Sequence, residues 1–153
     1  AAGFSLIFGV MNVVNLTQLA VDLANNSLPD YSFIVPDNYN NTHDCPGGAE
    51  SCTLAEVLAN GDRWLQNNIG PLVSAPLFDN AVLVITFDES KGDRTHGGGQ
   101  IAFVMAGGPV KRGFVSTTFY QHQSLLRMSL KRLGLTNFFG AAAEAPDMDE
   151  FFQ

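Results

Sequence analysis

The chain has 153 residues, of which 46% are hydrophobic and 15% are charged, the composition of an ordinary globular protein with a hydrophobic core. Acidic residues outnumber basic residues 15 to 8, for a net charge of -7, which argues against a nucleic-acid partner because phosphate backbones bind stripes of Lys and Arg. A small phosphorylated substrate is compatible with this charge, since a bound cation reverses the local sign. No apolar run reaches the roughly 18 residues that a membrane-spanning helix needs, so no transmembrane segment is predicted.

The first part of the chain contains an apolar opening and two predicted elements. Residues 1–14 are apolar, but no basic residue precedes them, so they do not have the pattern of an intact signal peptide. Residues 15–26 are predicted to form a short amphipathic helix with Asn15 as its N-cap. Residues 31–35 (YSFIV) are predicted to form a buried strand, and the polar loop of residues 36–51 follows it.

Two cysteines, Cys45 and Cys52, belong to this polar segment. Six residues rich in Pro and Gly separate them, and a local disulfide is the preferred interpretation. Two free thiols are the alternative, and zinc is disfavoured because no second Cys/His pair stands at finger-like spacing. Glycosylation sequons begin at Asn15, Asn25 and Asn40. Together these features favour a secreted or periplasmic location.

A helix and two strands are predicted next. A capping box of Thr53 and Glu56 begins the helix, its apolar face (Leu54, Val57, Leu58, Leu65, Ile69 and Leu72) continues beyond it, and Gly61 predicts a break or close packing. Residues 81–87 (AVLVITF) and 100–106 (QIAFVMA) are continuous apolar runs. Such runs are typical of central parallel strands that are buried on both faces.

The last predicted element is a helix over residues 120–133, with its leucines facing inward and Gly134 as its C-terminal stop. His122 is interpreted as a partly buried structural histidine near the start of this helix. Residues 140–153 form an acidic and aromatic tail to which no element is assigned.

Strands that alternate with helices predict an α/β fold, with a mainly parallel β-sheet flanked by helices, in a single domain or partial domain of residues 1–153. Right-handed crossovers put the loops that follow the strands on one edge of the sheet. Ligands bind at that edge in open α/β sheets. The loops after Val35 and Phe87 are therefore expected to meet there.

Asp88 and Glu89 follow directly on the apolar run AVLVITF. Adjacent carboxylates repel each other, and both are costly to keep ionised near a buried strand end without a counter-charge. Mg²⁺, Ca²⁺ and Mn²⁺ prefer oxygen ligands of this kind. The pair is therefore predicted to bind a divalent metal ion, and the alternative is that Asp88 caps a turn while Glu89 is solvated.

Two histidines are expected at the same edge, His96 before a run of glycines and His43 in the Asn-rich loop. Glycines let the backbone approach a ligand and can expose N–H groups to an anion, so Gly97 and Gly98, with Asn41, are candidates for substrate binding. The imidazoles could hold a phosphate oxygen, bind a metal or protonate a leaving group. The alternatives are a flexible loop with an exposed histidine and an Asn-rich turn closed by the cysteines.

These elements in this order resemble the C-terminal part of the phosphoesterase family that includes bacterial phospholipases C and acid phosphatases, within the alkaline-phosphatase-like superfamily. The resemblance covers residues 15–135 and rests on the segments PDNYNNTHDC, VLVITFDE, HGGG and YQHQSLLRMSLKRLGL. It implies that Asp88 and Glu89 help to bind the catalytic metal. It also implies that His43 lies near the substrate phosphate and that His96 has a substrate or metal role.

Two differences from the family pattern are visible. Asn41 stands where the family usually has Asp, two residues before His43. The family's Glu-Asn metal motif and its Ser or Thr nucleophile belong to an N-terminal segment that this sequence does not contain, and no Ser or Thr here has the context of a nucleophile.

The resemblance therefore implies metal-dependent hydrolysis of a phosphate ester, either a small molecule or a phospholipid head group. The missing N-terminal half or another copy of the chain is expected to complete the site. The alternative is a truncated, non-catalytic homologue that acts as a binding or structural module.

Overall fold

The structure is a computed structural model that describes residues 4–9, 12–13, 19, 21–22 and 24–153. Its strands are β1 (Phe4–Gly9), β2 (Asn12–Val13), β3 (Tyr31–Ile34), β4 (Leu83–Phe87) and β5 (Phe103–Ala106). Its α-helices are α1 (Leu54–Asn68), α2 (Gly70–Val73) and α3 (His122–Arg132). Short 3₁₀ helices lie at Pro46–Gly48, Pro76–Asn80, Thr95–Gly97, Gly140–Ala143 and Asp149–Phe151. The chain divides into two compact units, the second of which is Pro109–Gln153.

The first unit is built on one sheet with the strand order β2-β3-β1-β4-β5. β1 pairs antiparallel with both of its neighbours, so that Leu6 lies opposite Ile34 of β3 and Ile85 of β4. β2 pairs parallel with β3, and β4 pairs antiparallel with β5. The apolar opening, for which no strand is predicted from the sequence, therefore supplies the central strand of the sheet.

Three of the four pairings among the described strands are antiparallel, whereas the sequence predicts a mainly parallel sheet. The difference is clear at β4 and β5, because residues 88–102 between them contain a 3₁₀ turn and no α-helix. A parallel pair usually needs a helical crossover. The mainly parallel, alkaline-phosphatase-like architecture stays a prediction.

β3 and β4 nevertheless run in the same direction, because each is antiparallel to the strand between them. The register places Ile34 and Ile85 level with each other, and Phe87 lies opposite Phe4. Two strand spacings separate β3 from β4, or roughly 10 Å. The loops that follow these two strands therefore leave the same edge of the sheet, as expected from the sequence.

The core of the first unit packs α1 and α2 against the sheet. Seven buried side chains form one cluster: Leu19, Ile34, Trp64, Ile69, Leu72, Phe78 and Leu83. The capping box is confirmed, since Thr53 N donates to Glu56 Oε2 at 2.8 Å and Glu56 N donates to Thr53 Oγ1 at 3.3 Å.

Two details of the predicted helix are wrong. Leu54 and Leu58 are exposed, because the buried stripe of α1 passes through Val57, Gly61 and Trp64. The helix ends at Asn68, before Ile69 and Leu72, because the Gly-Pro sequence that begins α2 interrupts the backbone hydrogen bonds. Gly61 is buried within the continuous helix, which agrees with the predicted alternative of close packing and not with a break. In the predicted helix of residues 15–26, the described positions 19, 21, 22 and 24 are helical, and the predicted N-cap lies outside the described residues.

The second unit contains α3 and the tail. Gly134 ends the helix as predicted, with a φ of +80° and its N–H donated to Lys131 O at 3.0 Å. Leu126 and Leu133 are exposed, contrary to expectation. His122 is also exposed and not partly buried.

The tail of residues 140–153 is structured. Met148 and Phe152 are buried, and Phe152 forms a β-bridge with Val110. These two apolar residues among acidic ones are the sequence signal for a packed tail. Within the described part of the chain, no helix has the length and apolar character needed to cross a membrane.

The β4–β5 connection folds back onto the end of β4 through two glycines. Ser90 N donates to Gly98 O at 2.8 Å, and a Cβ on Gly98 would lie 3.5 Å from Glu89 Cβ. Gly99 has a φ of +74°, and a Cβ there would overlap Ser90 Oγ and lie 2.6 Å from Asp93 Cβ. Glycine is therefore required at position 99 both for its backbone angle and for the space.

Replacing Gly99 with Ala tests this packing, with Gly97→Ala as a matched control. Both residues have a positive φ, but a Cβ on Gly97 meets no described atom within 4 Å. Gly99→Ala should therefore lower the free energy of unfolding more than Gly97→Ala does, by about 1–3 kcal/mol for the overpacked site. Urea denaturation followed by circular dichroism measures both. Equal losses in the two variants would contradict the close packing.

The capping box predicts a pH dependence of stability. The pKa of Glu56 is lowered by the hydrogen bond from the Thr53 backbone and then by that from the Thr53 hydroxyl. A lowered pKa in the folded state means that the stabilisation is present above the ordinary carboxyl value of 4.5 and is lost as the pH falls through the folded value.

Glu56→Gln keeps hydrogen-bonding atoms at this position but removes the titration. The free energy of unfolding of the variant should therefore fall less steeply than that of the wild type as the solution is acidified. Urea denaturation at a series of acidic pH values measures the two slopes. Parallel slopes would show that the carboxylate of the capping box contributes nothing to acid sensitivity.

Candidate active site

The two adjacent carboxylates lie where β4 ends. Asp88 is exposed, and Glu89 is partly buried with its Oε2 3.6 Å from an Arg94 guanidinium nitrogen. The Arg94 side chain is 80% exposed, so it compensates the negative charge only weakly. The preceding Thr86 is buried within the strand, which anchors the pair to a rigid element. Two carboxylate groups are therefore held next to each other at the end of β4.

His96 is at the tip of the 3₁₀ turn that follows. It is exposed and has a φ of +54°. Asp93 Oδ1 accepts a hydrogen bond from Thr95 N at 2.8 Å, and this backbone bond lowers the pKa of Asp93. An ionised Asp93 thus stabilises the turn that presents the imidazole.

The glycines after His96 have different surroundings. Gly97 has open space where a side chain would be, whereas Gly98 packs against the backbone of Asp88 and Glu89. A Cβ on Gly98 would make only ordinary van der Waals contacts, the nearest 3.5 Å from Glu89 Cβ, so packing alone does not require glycine at position 98. Contact of either glycine with a substrate stays a prediction.

His43 forms a close pair with the residue that follows it. Its Nδ1 lies 2.6 Å from Asp44 Oδ1. Its backbone N–H donates to Asn41 Oδ1 at 2.9 Å, and Asn41 is only 6% exposed. Asn41 therefore supports the backbone of His43, and its predicted contact with substrate stays a prediction.

The loop that carries His43 is tied down along its length. Asp37 Oδ1 accepts hydrogen bonds at 3.0 Å from the backbone N–H groups of Tyr39 and Asn40. Asn60 of α1 donates from Nδ2 to Tyr39 O at 2.7 Å and to Asn40 Oδ1 at 3.1 Å. This loop is thereby joined to a helix of the core.

The predicted disulfide closes the other end of this loop. Cys45 and Cys52 are bonded, with their Cα atoms 5.6 Å apart. The disulfide is thus confirmed, and it begins only two residues after His43 in the sequence. The imidazole is therefore held between the Asp37 turn on one side and a covalent link on the other.

The direction of β3 and β4 brings the His43 loop and the acidic pair to one edge of the sheet. Carboxylate oxygens are ligands that Mg²⁺, Mn²⁺ and Ca²⁺ prefer, so Asp88 and Glu89 suit such an ion chemically. Across the described residues, no three His, Cys, Asp or Glu side chains come together as a metal-binding group. Metal binding by the pair stays a prediction.

Three residues near the site were not singled out from the sequence. Asp44 pairs with His43, and Asp93 stabilises the His96 turn. Ser90 Oγ is buried against Gly99 with no hydrogen-bond partner among the described residues. An Asp whose side chain accepts from the backbone two residues later is a common turn signal, so Asp93 could have been found from the sequence. The burial of Ser90 depends on how the β4–β5 connection folds back, for which the sequence has no local signal.

Comparison with known proteins gives a consistent result. The model of the Phosphoesterase family matches residues 7–136. The chain is 31% identical over 128 residues to an acid phosphatase of Aspergillus fumigatus, with 80% of this chain and 26% of that protein covered. It is 28% identical to a phosphate-repressible acid phosphatase of Penicillium chrysogenum, with 80% of this chain and 28% of that protein covered.

A third relative is a phosphatidylinositol-3-phosphatase of Mycobacterium tuberculosis, 29% identical, with 82% of this chain and 36% of that protein covered. No solved structure matches significantly. The chain spans about a quarter to a third of the length of these curated relatives. Because the family match extends over most of the chain and includes both candidate loops, the chain belongs to the Phosphoesterase family.

Proposed function

We propose that this chain supplies one edge of the active site of a metal-dependent phosphate-ester hydrolase of the acid phosphatase type. The observation that carries the proposal is the common direction of β3 and β4, because it makes the loop that contains His43 and the acidic pair leave the same edge of the sheet. The similarity to acid phosphatases supports the choice of reaction. The nucleophile and the remaining ligands are assigned to parts of a longer protein.

Asp88 and Glu89 would hold the metal ion. Two carboxylates at a rigid strand end give a hard cation fixed oxygen ligands, and the partial exposure of both residues leaves room for further ligands. When bound, such an ion stabilises the charge that develops on the phosphoryl group and lowers the pKa of the nucleophile.

The two histidines would act on the phosphate ester itself. His96 would donate a hydrogen bond to a phosphate oxygen, and its exposure in a turn supports this role. His43 would hold a phosphate oxygen or assist the leaving group, and the anchoring of its loop supports this role. Together they would orient the ester against the metal, which is the main protein contribution to phosphoryl transfer.

The substrate class and the location extend this proposal. A small phosphate ester is favoured by the similarity to acid phosphatases, and a phospholipid head group is the alternative that the phosphatidylinositol-3-phosphatase relative suggests. We assign the protein to a secreted or periplasmic location. The disulfide supports this, since such bonds persist mainly in oxidising compartments.

The double variant Asp88→Asn/Glu89→Gln tests the metal site. It should lose the binding of Mg²⁺ or Mn²⁺ measured by titration calorimetry, because the neutral amides remove both negative ligands. In the full-length protein, metal-dependent hydrolysis of p-nitrophenyl phosphate should fall by roughly a hundredfold or more, since a Lewis acid contributes several kcal/mol. The circular dichroism spectrum should be unchanged, because both side chains lie beyond the last residue of the strand.

The matched control is Glu50→Gln/Asp62→Asn, which removes the same charge from exposed positions in the disulfide loop and in α1. It should bind the metal as the wild type does. Unchanged metal stoichiometry in the Asp88/Glu89 variant would rule out the assignment of these ligands. A full-length wild-type protein that binds neither ion and hydrolyses no phosphate ester would favour the non-catalytic binding module instead.

A further inference from the structure

We propose that Asp44 is a positioning residue that keeps a proton on Nδ1 of His43 and so makes Nε2 the proton-transfer atom of the ring. The inference deepens the proposed function and rests on it, because it assigns the chemical part that His43 has at the same site. It concerns a carboxylate that sequence reasoning did not select.

The contact between the two side chains determines which nitrogen carries the proton. His43 Nδ1 lies 2.6 Å from Asp44 Oδ1. An ionised carboxylate only accepts hydrogen bonds, so a bond of this length requires N–H at Nδ1. In the neutral ring the other nitrogen, Nε2, is then a bare acceptor. In the cationic ring Nε2 carries the second proton.

The side chains are 35% and 44% exposed, and an exposed ion pair usually contributes little because both side chains lose freedom when they pair. Here the backbone reduces that cost. His43 N donates to Asn41 Oδ1 at 2.9 Å, and Asp44 N donates to Asn38 O at 2.8 Å. Consecutive residues are thus both anchored before their side chains meet.

The neighbours of the pair restrict the loop further. Thr42 has a φ of +73°, a left-handed conformation that a β-branched residue rarely adopts. Cys45 follows Asp44 directly and is held by the disulfide to Cys52. Because the chain is held on both sides of the pair, the carboxylate is part of a preorganised loop and not a freely rotating surface group.

This arrangement determines the atom through which His43 can act on a substrate. A ring with Nδ1 occupied by Asp44 can reach a substrate only through Nε2. In the cationic state, the Nε2 proton passes to the leaving-group oxygen as that oxygen takes the electron pair of the breaking P–O bond. The nucleophile forms its bond to phosphorus in this step, and neutral His43 keeps its proton on Nδ1. A water molecule then attacks phosphorus as the bond to the nucleophile breaks, and it gives one proton to Nε2, which restores the cationic ring. His43 is therefore suited to proton transfer and not only to holding phosphate.

The proton position can be measured directly on the chain without substrate. In ¹⁵N-histidine-labelled protein, long-range ¹H–¹⁵N correlation spectra distinguish the two tautomers of a neutral ring. The chain has 3 histidines, and His43→Gln assigns the relevant signals. We expect a predominant Nδ1–H tautomer for His43 in the wild type, and a loss of that predominance in Asp44→Ala.

Two further variants separate this effect from a general disturbance of the loop. Asp44→Asn keeps an acceptor oxygen and should retain the Nδ1–H tautomer. Glu50→Ala removes a carboxylate from an exposed position in the same disulfide loop and should leave the His43 signals unchanged. A predominant Nε2–H tautomer in the wild type would overturn the proposal, even if Asp44→Ala did not fold. An unchanged Nδ1–H tautomer in folded Asp44→Ala would also overturn it.

A titration with inorganic phosphate tests the proposed function separately from the role of Asp44. Phosphate should shift the Nε2 signal of His43 if this edge of the sheet receives a phosphate group. His43 signals that do not respond to phosphate would count against the proposed function, while the measured tautomer would still decide the assignment of Asp44.

Discussion

The antiparallel pairing of β1 with both β3 and β4 is the constraint on which the candidate site depends. Leu6 lies opposite Ile34 on one side and Ile85 on the other, so the two neighbouring strands must run in the same direction. Backbone hydrogen bonds determine this register, and a slip by one residue would turn the alternating side chains of a strand to the other face. The common edge at which two polar loops emerge is a direct consequence of this pairing.

The two loops reach that edge by different physical means. The His43 loop is long and polar, and it is held by hydrogen bonds to a core helix and by a disulfide. The connection after β4 is held by close packing at one position, since Gly99 leaves no space for a side chain against Ser90 and Asp93. One loop thus relies on directional bonds and the other on the absence of a Cβ atom at position 99. Both arrangements restrict the backbone around the candidate groups.

Charge is distributed in a way that suits a site for a metal ion and a phosphate. Glu89 has an exposed Arg94 nearby, and His43 has an adjacent carboxylate. Neither pair is deeply buried, so each contributes little to stability. The pairs matter because they orient side chains, as when a carboxylate next to an imidazole determines which ring nitrogen can exchange a proton.

The sequence by itself determined the strand after Asp30, the capping box at Thr53, the disulfide between Cys45 and Cys52, the helix stop at Gly134 and the family to which the chain belongs. These features depend on local patterns, on a short loop or on motifs that can be seen in order. Among the candidate site residues it also selected Asp88 and Glu89, because two acidic residues after an apolar run stand out. Only the tertiary structure decided that the apolar opening is the central strand, that β5 returns antiparallel, and that Asp44 faces His43. Strand pairing and side-chain direction depend on contacts between distant segments and on the backbone angles of individual loop residues, and neither is encoded in a local pattern of apolar and polar residues.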